Sequence, residues 1–265
     1  MFKNIPEKLH EPFISDKFEI LQKGVSDNPE VDVYINSQKD FAFLYPQPVL
    51  DYTDYLPRVK KLNLENYKKI NSVYEDRFNK ISPFLKNNIS SLIEIGAAAG
   101  SFLEIVKREN PDIKLAAVEP DTNTASLREE FVGAESYASL DEICSSNRKY
   151  DVICFFHVLE HIVDPSSFLL KLRQLMHSDT LIIIEVPSLF DPLLSLYNCE
   201  SYKRFYFQAQ HPYVYSRPSI TRLMKYNDFK AVEIIDFQRY GLENHLNWLI
   251  NDVPGGNDLL REIFS

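Results

Sequence analysis

A short apolar run, a glycine-rich turn and a helical pattern follow one another in Ser91-Leu92-Ile93-Glu94-Ile95-Gly96-Ala97-Ala98-Ala99-Gly100-Ser101-Phe102-Leu103. The chain contains only seven glycines, and two of them, Gly96 and Gly100, lie here. Glycine is needed where the backbone turns tightly or approaches a ligand closely. A helix that begins directly after such a turn points its free N–H groups and positive dipole end at whatever lies above the turn. The stretch predicts the nucleotide-binding corner of a doubly wound sheet, the alternative being an ordinary strand-to-helix turn.

The downstream pattern alternates strands and helices and predicts an α/β fold with a doubly wound, mostly parallel sheet. The predicted strands are 92–95, 114–118, 135–138, 150–156, 180–186 and 230–236. The predicted helices are about 62–85, 101–109, 123–131, 166–176 and 219–225.

Residues 1–60 differ from the rest, because prolines interrupt them and only short alternating pieces, 31–35 and 41–45, are typical of strands. We expect an irregular N-terminal extension that packs on the core, which takes residues 61–265. An aromatic-rich loop at about 187–218 follows the fifth strand. Loops of this length usually bind ligands or cover sites, so this one is predicted to act as a lid.

Composition excludes several classes of partner. The 265 residues carry a formal charge of −9, from 29 basic and 38 acidic residues, and no basic run, which argues against nucleic acid or an anionic membrane surface. The three cysteines form no CxxC pair, which fits a reducing compartment. No signal-peptide core stands at the N-terminus, and no stretch approaches the about eighteen uninterrupted apolar residues of a membrane span. These features predict a cytoplasmic protein.

Glu119 directly follows the second predicted strand and lies 23 residues after Gly96. In a sheet of this kind it can accept both hydroxyls of a bound ribose, as in dinucleotide and S-adenosylmethionine sites. A dinucleotide fingerprint requires Gly or Ala at positions 98 and 101, and Ser101 departs from it. The spacing Gly96-x-Ala98-x-Gly100 fits the S-adenosylmethionine pattern better, with Ala98 in place of the usual middle glycine.

These residues also carry a family resemblance. Residues 94–101 resemble motif I of class I S-adenosylmethionine-dependent methyltransferases, and Val118-Glu119-Pro120-Asp121 resembles their acidic post-I segment. Residues 150–165, which include His157-Val158-Leu159-Glu160-His161, are similar to one branch of that family, which includes ubiquinone-type O-methyltransferases and bacterial sugar methyltransferases. Residues 238–249, with Pro254-Gly255-Gly256, resemble a tail of the polysaccharide members. The resemblance covers about residues 88–256.

The resemblance implies S-adenosylmethionine as the cofactor, and its cationic sulfonium suits an enclosure of aromatic faces and carbonyls. The implied binding residues are Glu94, Gly96, Ala98 and Gly100 at the methionine end, Glu119 with Pro120 at the ribose, Ser139 and Leu140 at the adenine, and Phe156 and His157 beside the methyl group and the acceptor.

Candidate general bases are His157, His161, His211 and His245, because histidine titrates near neutral pH. His157 is the first choice, since it directly follows a central strand, although a purely structural role there remains open. His211 is the second choice, because it lies in the loop after the fifth strand, at the end of the sheet where acceptors bind. His161 is expected to hold the local turn.

The run His157-x-x-Glu160-His161 also matches a zinc-protease motif. That motif needs a continuous helix and a third ligand downstream, whereas this one starts at a strand exit. A catalytic divalent ion held by His157, Glu160 and His161 stays open, since some ubiquinone-type relatives use metal near this segment.

The predicted activity is methyl transfer from S-adenosylmethionine to a hydroxyl of a small polar acceptor. The favoured acceptor, on the C-terminal resemblance alone, is a nucleotide-linked sugar or another precursor of a bacterial surface polysaccharide. Methylation of a sugar carbon or nitrogen, or of a phosphate-like capsule group, remains an alternative. A catalytically silent cofactor-binding partner protein and a nicotinamide-dependent enzyme are the rivals, and Ser101 argues against the second.

Overall fold

The computed structural model describes residues 9, 11–13, 15–48, 71–85, 89–230 and 233–255. The chain divides into two compact units. One, the parallel-sheet unit, contains the described residues of Asp51–Leu159 and Ser167–Glu185; the other, the antiparallel-sheet unit, contains those of Met1–Leu50, Glu160–Ser166 and Val186–Ser265. The C-terminal residues thus group with the N-terminal ones, a division that differs from the predicted boundary after residue 60.

The strands and helices of the described residues have the following bounds. The strands are β1 (Phe18–Gln22), β2 (Asp32–Asn36), β3 (Phe41–Tyr45), β4 (Ser91–Ile95), β5 (Lys114–Val118), β6 (Glu135–Tyr137), β7 (Val152–Phe156), β8 (Leu181–Glu185) and β9 (Tyr213–Tyr215). The helices of four or more residues are Asn71–Ile81, Ser101–Glu109, Leu140–Cys144, Pro165–Leu172, Pro192–Ser195, Glu200–Tyr206, Arg217–Tyr226 and Leu242–Asn251.

The parallel sheet has the strand order β6-β5-β4-β7-β8, and every neighbouring pair is parallel. All five residues of β7 are buried, which explains why its sequence is apolar without alternation. The main core cluster packs Leu92, Phe102, Leu115 and Cys154 together with other buried residues of this unit. The predicted α/β fold is confirmed.

The order of strands places the reversal between β4 and β7. The chain adds β5 and β6 on one side of β4, then returns to add β7 and β8 on the other side. Ligands of such sheets bind at the carboxyl ends of the strands beside this reversal. Gly96, Glu119 and His157 directly follow β4, β5 and β7 and therefore lie at this edge.

The second sheet has the order β1-β2-β3-β9 and is antiparallel throughout. The short strands predicted at 31–35 and 41–45 are present as β2 and β3. Their buried aromatic side chains pack in the sheet; the rings of Phe13 and Phe41, for example, stack with centroids 3.8 Å apart. The last strand, β9, comes from the predicted lid loop, and its Tyr215 pairs with Phe41.

Several local predictions were wrong. The segment 187–218 is not one loop, because Asp191 caps a short helix, Pro192–Ser195, with its carboxylate accepting from the Leu193 N–H at 2.8 Å. By contrast, the predicted helix 123–131 is present as a continuous helical segment, 122–132, which changes from 3₁₀ to α to π geometry and is followed by Gly133 at φ +69°.

The end of the chain also differs from the prediction. Residues 233–236 are not in a strand, while 231 and 232 lie outside the described residues. Helix Leu242–Asn251 was not predicted; it buries Trp248 against Tyr202 and Cys199.

The first part of the predicted helix 62–85 also lies outside the described residues. No helix of the described ranges is long and apolar enough to cross a membrane.

Candidate active site

The glycine turn after β4 requires its glycines. Gly96 and Gly100 have φ values of +75° and +86°. A Cβ on Gly96 would lie 2.5 Å from Cγ2 of Val158, closer than real Cβ contacts allow. Between them Ala98 has φ +45°, a conformation that non-glycine residues rarely adopt. Such strain persists where the surrounding structure enforces it, typically at ligand sites.

The carboxylate of Glu119 lies against this turn. Its Oε2 accepts a hydrogen bond from the Ala98 N–H at 2.8 Å, and its Oε1 accepts from the Asp121 N–H at 3.0 Å. A carboxylate oxygen has two acceptor positions, so each oxygen can accept one more hydrogen bond, such as that of a ribose hydroxyl. The adjacent Pro120 is exposed.

Arg128 holds the glycine turn through its buried guanidinium, a role that no pattern in the sequence predicts. The residue is 1% exposed, and its guanidinium donates to the Ala98 carbonyl and, at 3.1 Å, to Oγ of Ser136. Burial lowers the pKa of Arg128, and the charge of Glu119 opposes that change. A Cβ on Gly100 would lie 3.0 Å from Cγ of Arg128, so the glycine leaves room for this side chain.

Glu94 lies in β4, next to the turn, and is almost fully buried. Burial raises the pKa of its carboxyl to about 8, and the nearby charge of Arg77 opposes this shift. Its Oε2 accepts no hydrogen bond from the described residues. A buried acceptor of this kind fits a cationic or N–H-bearing group of a ligand, which would supply the missing partner.

A second carboxylate, that of Glu185 at the end of β8, is held by two residues of the same unit. Arg77 donates to both oxygens, from Nε at 2.7 Å and from Nη2 at 2.8 Å. Nε2 of His157 lies 2.8 Å from Oε1 of Glu185. Burial alone would raise the pKa of Glu185, but the hydrogen bonds from Arg77 and His157 outweigh it and lower the pKa to about 2.

His157 is fixed by backbone as well as side chain. Its φ is +56°, and its N–H donates to the Glu185 carbonyl at 2.9 Å. The side chain is 29% exposed, so part of the ring is accessible. An accessible imidazole beside an ionised carboxylate can act as a general base.

The other predicted cofactor residues have identifiable structural roles. Phe156 packs edge-on against Phe102, with ring centroids 4.8 Å apart. Oγ of Ser139 accepts from the Glu142 N–H at 3.2 Å and so caps the helix, and Oε2 of Glu142 accepts from the N–H of Ala138, just before the cap, at 2.7 Å. Leu140 begins the helix that Ser139 caps. Contact of Ser139 and Leu140 with an adenine stays a prediction.

The other three candidate histidines, His161, His211 and His245, belong to the antiparallel-sheet unit. Nδ1 of His161 lies 2.7 Å from the Gln210 carbonyl, and the rings of His161 and His211 meet edge-on with centroids 4.7 Å apart. Glu160 completes a group that could hold a metal ion, with His211 in the place predicted for His157. Nε2 of His245 accepts from Gln238 at 2.9 Å.

A cavity of about 570 Å³ lies at the other end of the parallel sheet. Ser91, Lys114 and Tyr150, among the residues that line it, lie at or just before the amino ends of their strands. It is therefore not the site formed by the glycine turn and His157.

Comparison with known proteins identifies the family. A family model described as a methyltransferase domain matches residues 67–234, more than half of the chain. No curated protein sequence matches.

Solved structures resemble the chain at low identity. The plantazolicin methyltransferase BpumL in complex with a monoazolic desmethylPZN analog and SAH is 16% identical, with a TM-score of 0.50 over 66% of this chain and 70% of that chain. The same enzyme with a pentazolic analog and SAH is 18% identical, with a TM-score of 0.45 over 66% of each chain. A SAM dependent methyltransferase from Archaeoglobus fulgidus is 19% identical, with a TM-score of 0.48 over 78% of this chain and 96% of that chain. The chain belongs to the methyltransferase-domain family, with the Rossmann-like fold of class I methyltransferases.

Proposed function

We propose that this protein transfers a methyl group from S-adenosylmethionine to a hydroxyl of a small polar acceptor, with His157 as the general base. Family membership supports the methyl transfer. The observation that carries the hydroxyl acceptor is the pairing of His157 with Glu185 at 2.8 Å, because a hydroxyl must lose a proton as it is methylated.

The predicted cofactor, S-adenosylmethionine, is confirmed by membership of the methyltransferase-domain family. In this chain three features support its binding. The oxygen of Glu94 that accepts no hydrogen bond from the described residues fits the ammonium group, the turn from Gly96 to Gly100 brings backbone N–H groups close, and Glu119 offers acceptors to the ribose.

When bound, S-adenosylmethionine supplies an electrophilic methyl group, and S-adenosylhomocysteine is the product that remains. His157 would take the proton of the acceptor hydroxyl as the hydroxyl oxygen is methylated. Glu185 stays ionised and stabilises the imidazolium that forms, and Arg77 fixes the Glu185 carboxylate through two hydrogen bonds. A positioned base of this kind contributes roughly 10²–10⁴-fold to the rate.

The acceptor that we propose is a nucleotide-linked sugar or another precursor of a bacterial surface polysaccharide. Its support is the resemblance of residues 238–249, with Pro254-Gly255-Gly256, to a tail of the polysaccharide members. Methylation at carbon, at nitrogen or at a phosphate-like group is the alternative chemistry. The segment 187–218 as a lid, contact of Ser139 and Leu140 with adenine and a cytoplasmic location are further parts of this proposal. His211, the second choice for the base, is set aside here in favour of His157.

Transfer of a labelled methyl group to a panel of nucleotide sugars tests the proposal. We expect turnover by the wild-type chain on at least one sugar, and a loss of about 100-fold or more in His157→Gln, which keeps a polar side chain without basicity. His177→Gln is the matched control, because His177 lies in the same unit and pairs with Asp151 at the surface. Full activity in His157→Gln would contradict the assigned base. Cofactor binding without turnover on any acceptor would favour the silent partner protein.

A further inference from the structure

A cluster of metal-ligating side chains lies in the antiparallel-sheet unit. Glu160, His161 and His211 each offer one ligand atom, and these atoms all lie within 4.8 Å of one another. The first two stand in the turn Leu159–His161, and the third lies two residues before β9. The cofactor site proposed above uses neither Glu160 nor His161.

One of the three donors, His161, is held in the way that is common for metal-binding histidines. Nδ1 of His161 lies 2.7 Å from the Gln210 carbonyl, which can only accept, so Nδ1 carries the proton and Nε2 keeps its lone pair. Metal-binding histidines are commonly fixed in this way by a backbone carbonyl on the other ring nitrogen. The Gln210 carbonyl belongs to the residue just before His211, so one short segment supplies both a ligand and the group that orients another.

The surroundings favour a bound cation. Glu160 is 1% exposed, and a buried carboxylate is costly unless a charge or hydrogen bonds compensate it. Two phenols of the same unit, the half-buried Tyr206 and the buried Tyr215, lie within electrostatic reach: desolvation raises their pKa well above the usual value, and the negative charge of Glu160 adds to the rise. An ion in such surroundings is poorly screened and interacts strongly with a carboxylate.

We propose that Glu160, His161 and His211 bind one divalent transition metal ion of the Zn²⁺ type, which ties the turn Leu159–His161 to the segment before β9. Two imidazoles and one carboxylate suit Zn²⁺, whereas Mg²⁺ and Ca²⁺ require oxygen ligands. Ligand atoms of a tetrahedral zinc site lie roughly 3.3 Å apart, so the three side chains must close by about 1 Å or somewhat more, which side-chain rotations can supply. The ion has a structural role and takes no part in methyl transfer.

Hydrogen bonds between the carboxylate and the two imidazoles are the competing explanation for the cluster. They would hold the same three side chains together without any ion. Direct metal titration separates the two explanations, and it does so without reference to activity.

The experiment uses the full chain without a polyhistidine tag, stripped with a chelator and titrated with Zn²⁺, Co²⁺ and Mg²⁺. We expect one equivalent of Zn²⁺ to bind, visible absorption typical of tetrahedral Co²⁺, no comparable Mg²⁺ binding, and a higher melting temperature with Zn²⁺. His211→Ala and Glu160→Gln should weaken Zn²⁺ binding at least about 100-fold, more than the loss of a second-shell partner costs. His245→Ala, in the same unit, is the matched control and should bind as the wild type does.

Circular dichroism checks that each variant is folded, and His211→Gln replaces His211→Ala if the latter is not. Absence of stoichiometric Zn²⁺ binding to the folded wild-type chain would overturn the proposal in favour of the hydrogen-bonded cluster. Binding that is unchanged in the folded His211 and Glu160 variants, or equal affinity for Mg²⁺, would overturn it as well. Because binding and melting temperature are the readouts, failure of the methyltransferase proposal would leave this result intact.

Discussion

At the level of single residues, two buried carboxylates of the parallel-sheet unit have opposite properties. Arg77 donates two hydrogen bonds to Glu185, whose pKa falls to about 2 although burial opposes the change. Oε2 of Glu94 accepts no hydrogen bond from the described residues, and burial raises the pKa of this carboxyl to about 8. At neutral pH Glu185 is therefore ionised, while Glu94 is mostly protonated until a cationic ligand group favours its charged form.

The first prediction concerns Glu185. Replacing it with Gln removes the anion that stabilises the protonated His157, so kcat for methyl transfer should fall roughly 100-fold, with little change in the affinity for S-adenosylmethionine. Because the pKa of Glu185 is lowered, the stability that its pairing contributes is present above about pH 4.3 and is lost as the pH falls toward 2. Glu135→Gln, at a surface ion pair with Arg148, is the control. An unchanged kcat in folded Glu185→Gln would show that the pairing is only structural.

The second prediction concerns the stability of the ligand-free protein with Glu94→Gln. A carboxyl with a raised pKa binds a proton more tightly when folded, so folding stability falls as the pH rises from about 4.3 to about 8. Gln does not ionise, so its burial causes no such loss of stability as the pH rises. The variant should be more stable than wild type by about 1–3 kcal/mol at pH 9 and by almost nothing at pH 5.

Urea denaturation at pH 5 and pH 9 measures this difference, with the exposed Glu109→Gln as the control. The same variant should bind S-adenosylmethionine more weakly, since it cannot become an anion. A stability difference that does not grow between pH 5 and pH 9 would contradict the buried, protonated Glu94.

At the level of elements, the turn between β4 and helix Ser101–Glu109 determines the shape of the site, and the third prediction tests it. Both Gly96 and Gly133 have a positive φ, +75° and +69°, which is unfavourable for alanine. A Cβ on Gly96 would also lie 2.5 Å from Val158, whereas a Cβ on Gly133 would have no atom within 4 Å. Gly133→Ala should cost about 1–2 kcal/mol of stability, the penalty of the left-handed conformation alone. Gly96→Ala should cost about 1–3 kcal/mol more, because overpacking is added.

Urea denaturation of both variants and of the double variant Gly96→Ala/Val158→Ala measures the two contributions. Removing the Val158 methyl groups should recover part of the extra cost. Equal costs for the two glycine variants would show that Val158 does not restrict the turn.

The elements that the sequence predicted well are those whose signals are local. The strand Ser91–Ile95, its glycine turn and the helix Ser101–Glu109 lie consecutively, so pattern and turn chemistry suffice. Strand 230–236 was predicted from apolar alternation, yet a strand needs a partner, and Ile235 is 40% exposed. Arg77 escaped notice because its partner, Glu185, is 108 residues away.

At the level of the whole molecule, the sequence could not reveal which stretches of chain make up each unit. The antiparallel-sheet unit combines three separate stretches of chain, and the pairing of Phe41 with Tyr215 joins its first and third stretches. Composition changes along the chain mark only local boundaries. The cluster of Glu160, His161 and His211 was missed for the same reason. The local His-x-x-Glu-His motif suggested His157 as the third member, whereas His211 is distant in the sequence.

The glycine turn and Glu119 are proposed to bind S-adenosylmethionine together, and calorimetric titration measures that binding without reference to the acceptor. We predict micromolar binding of S-adenosylmethionine and S-adenosylhomocysteine to the wild-type chain. Glu119→Ala should weaken binding by about 1.5–3 kcal/mol, or roughly 10- to 150-fold in Kd, because a charged acceptor of two ribose hydroxyls is lost. The exposed Glu129→Ala should bind as the wild type does. Absence of binding to the folded wild-type chain, or equal affinity in Glu119→Ala, would contradict the account.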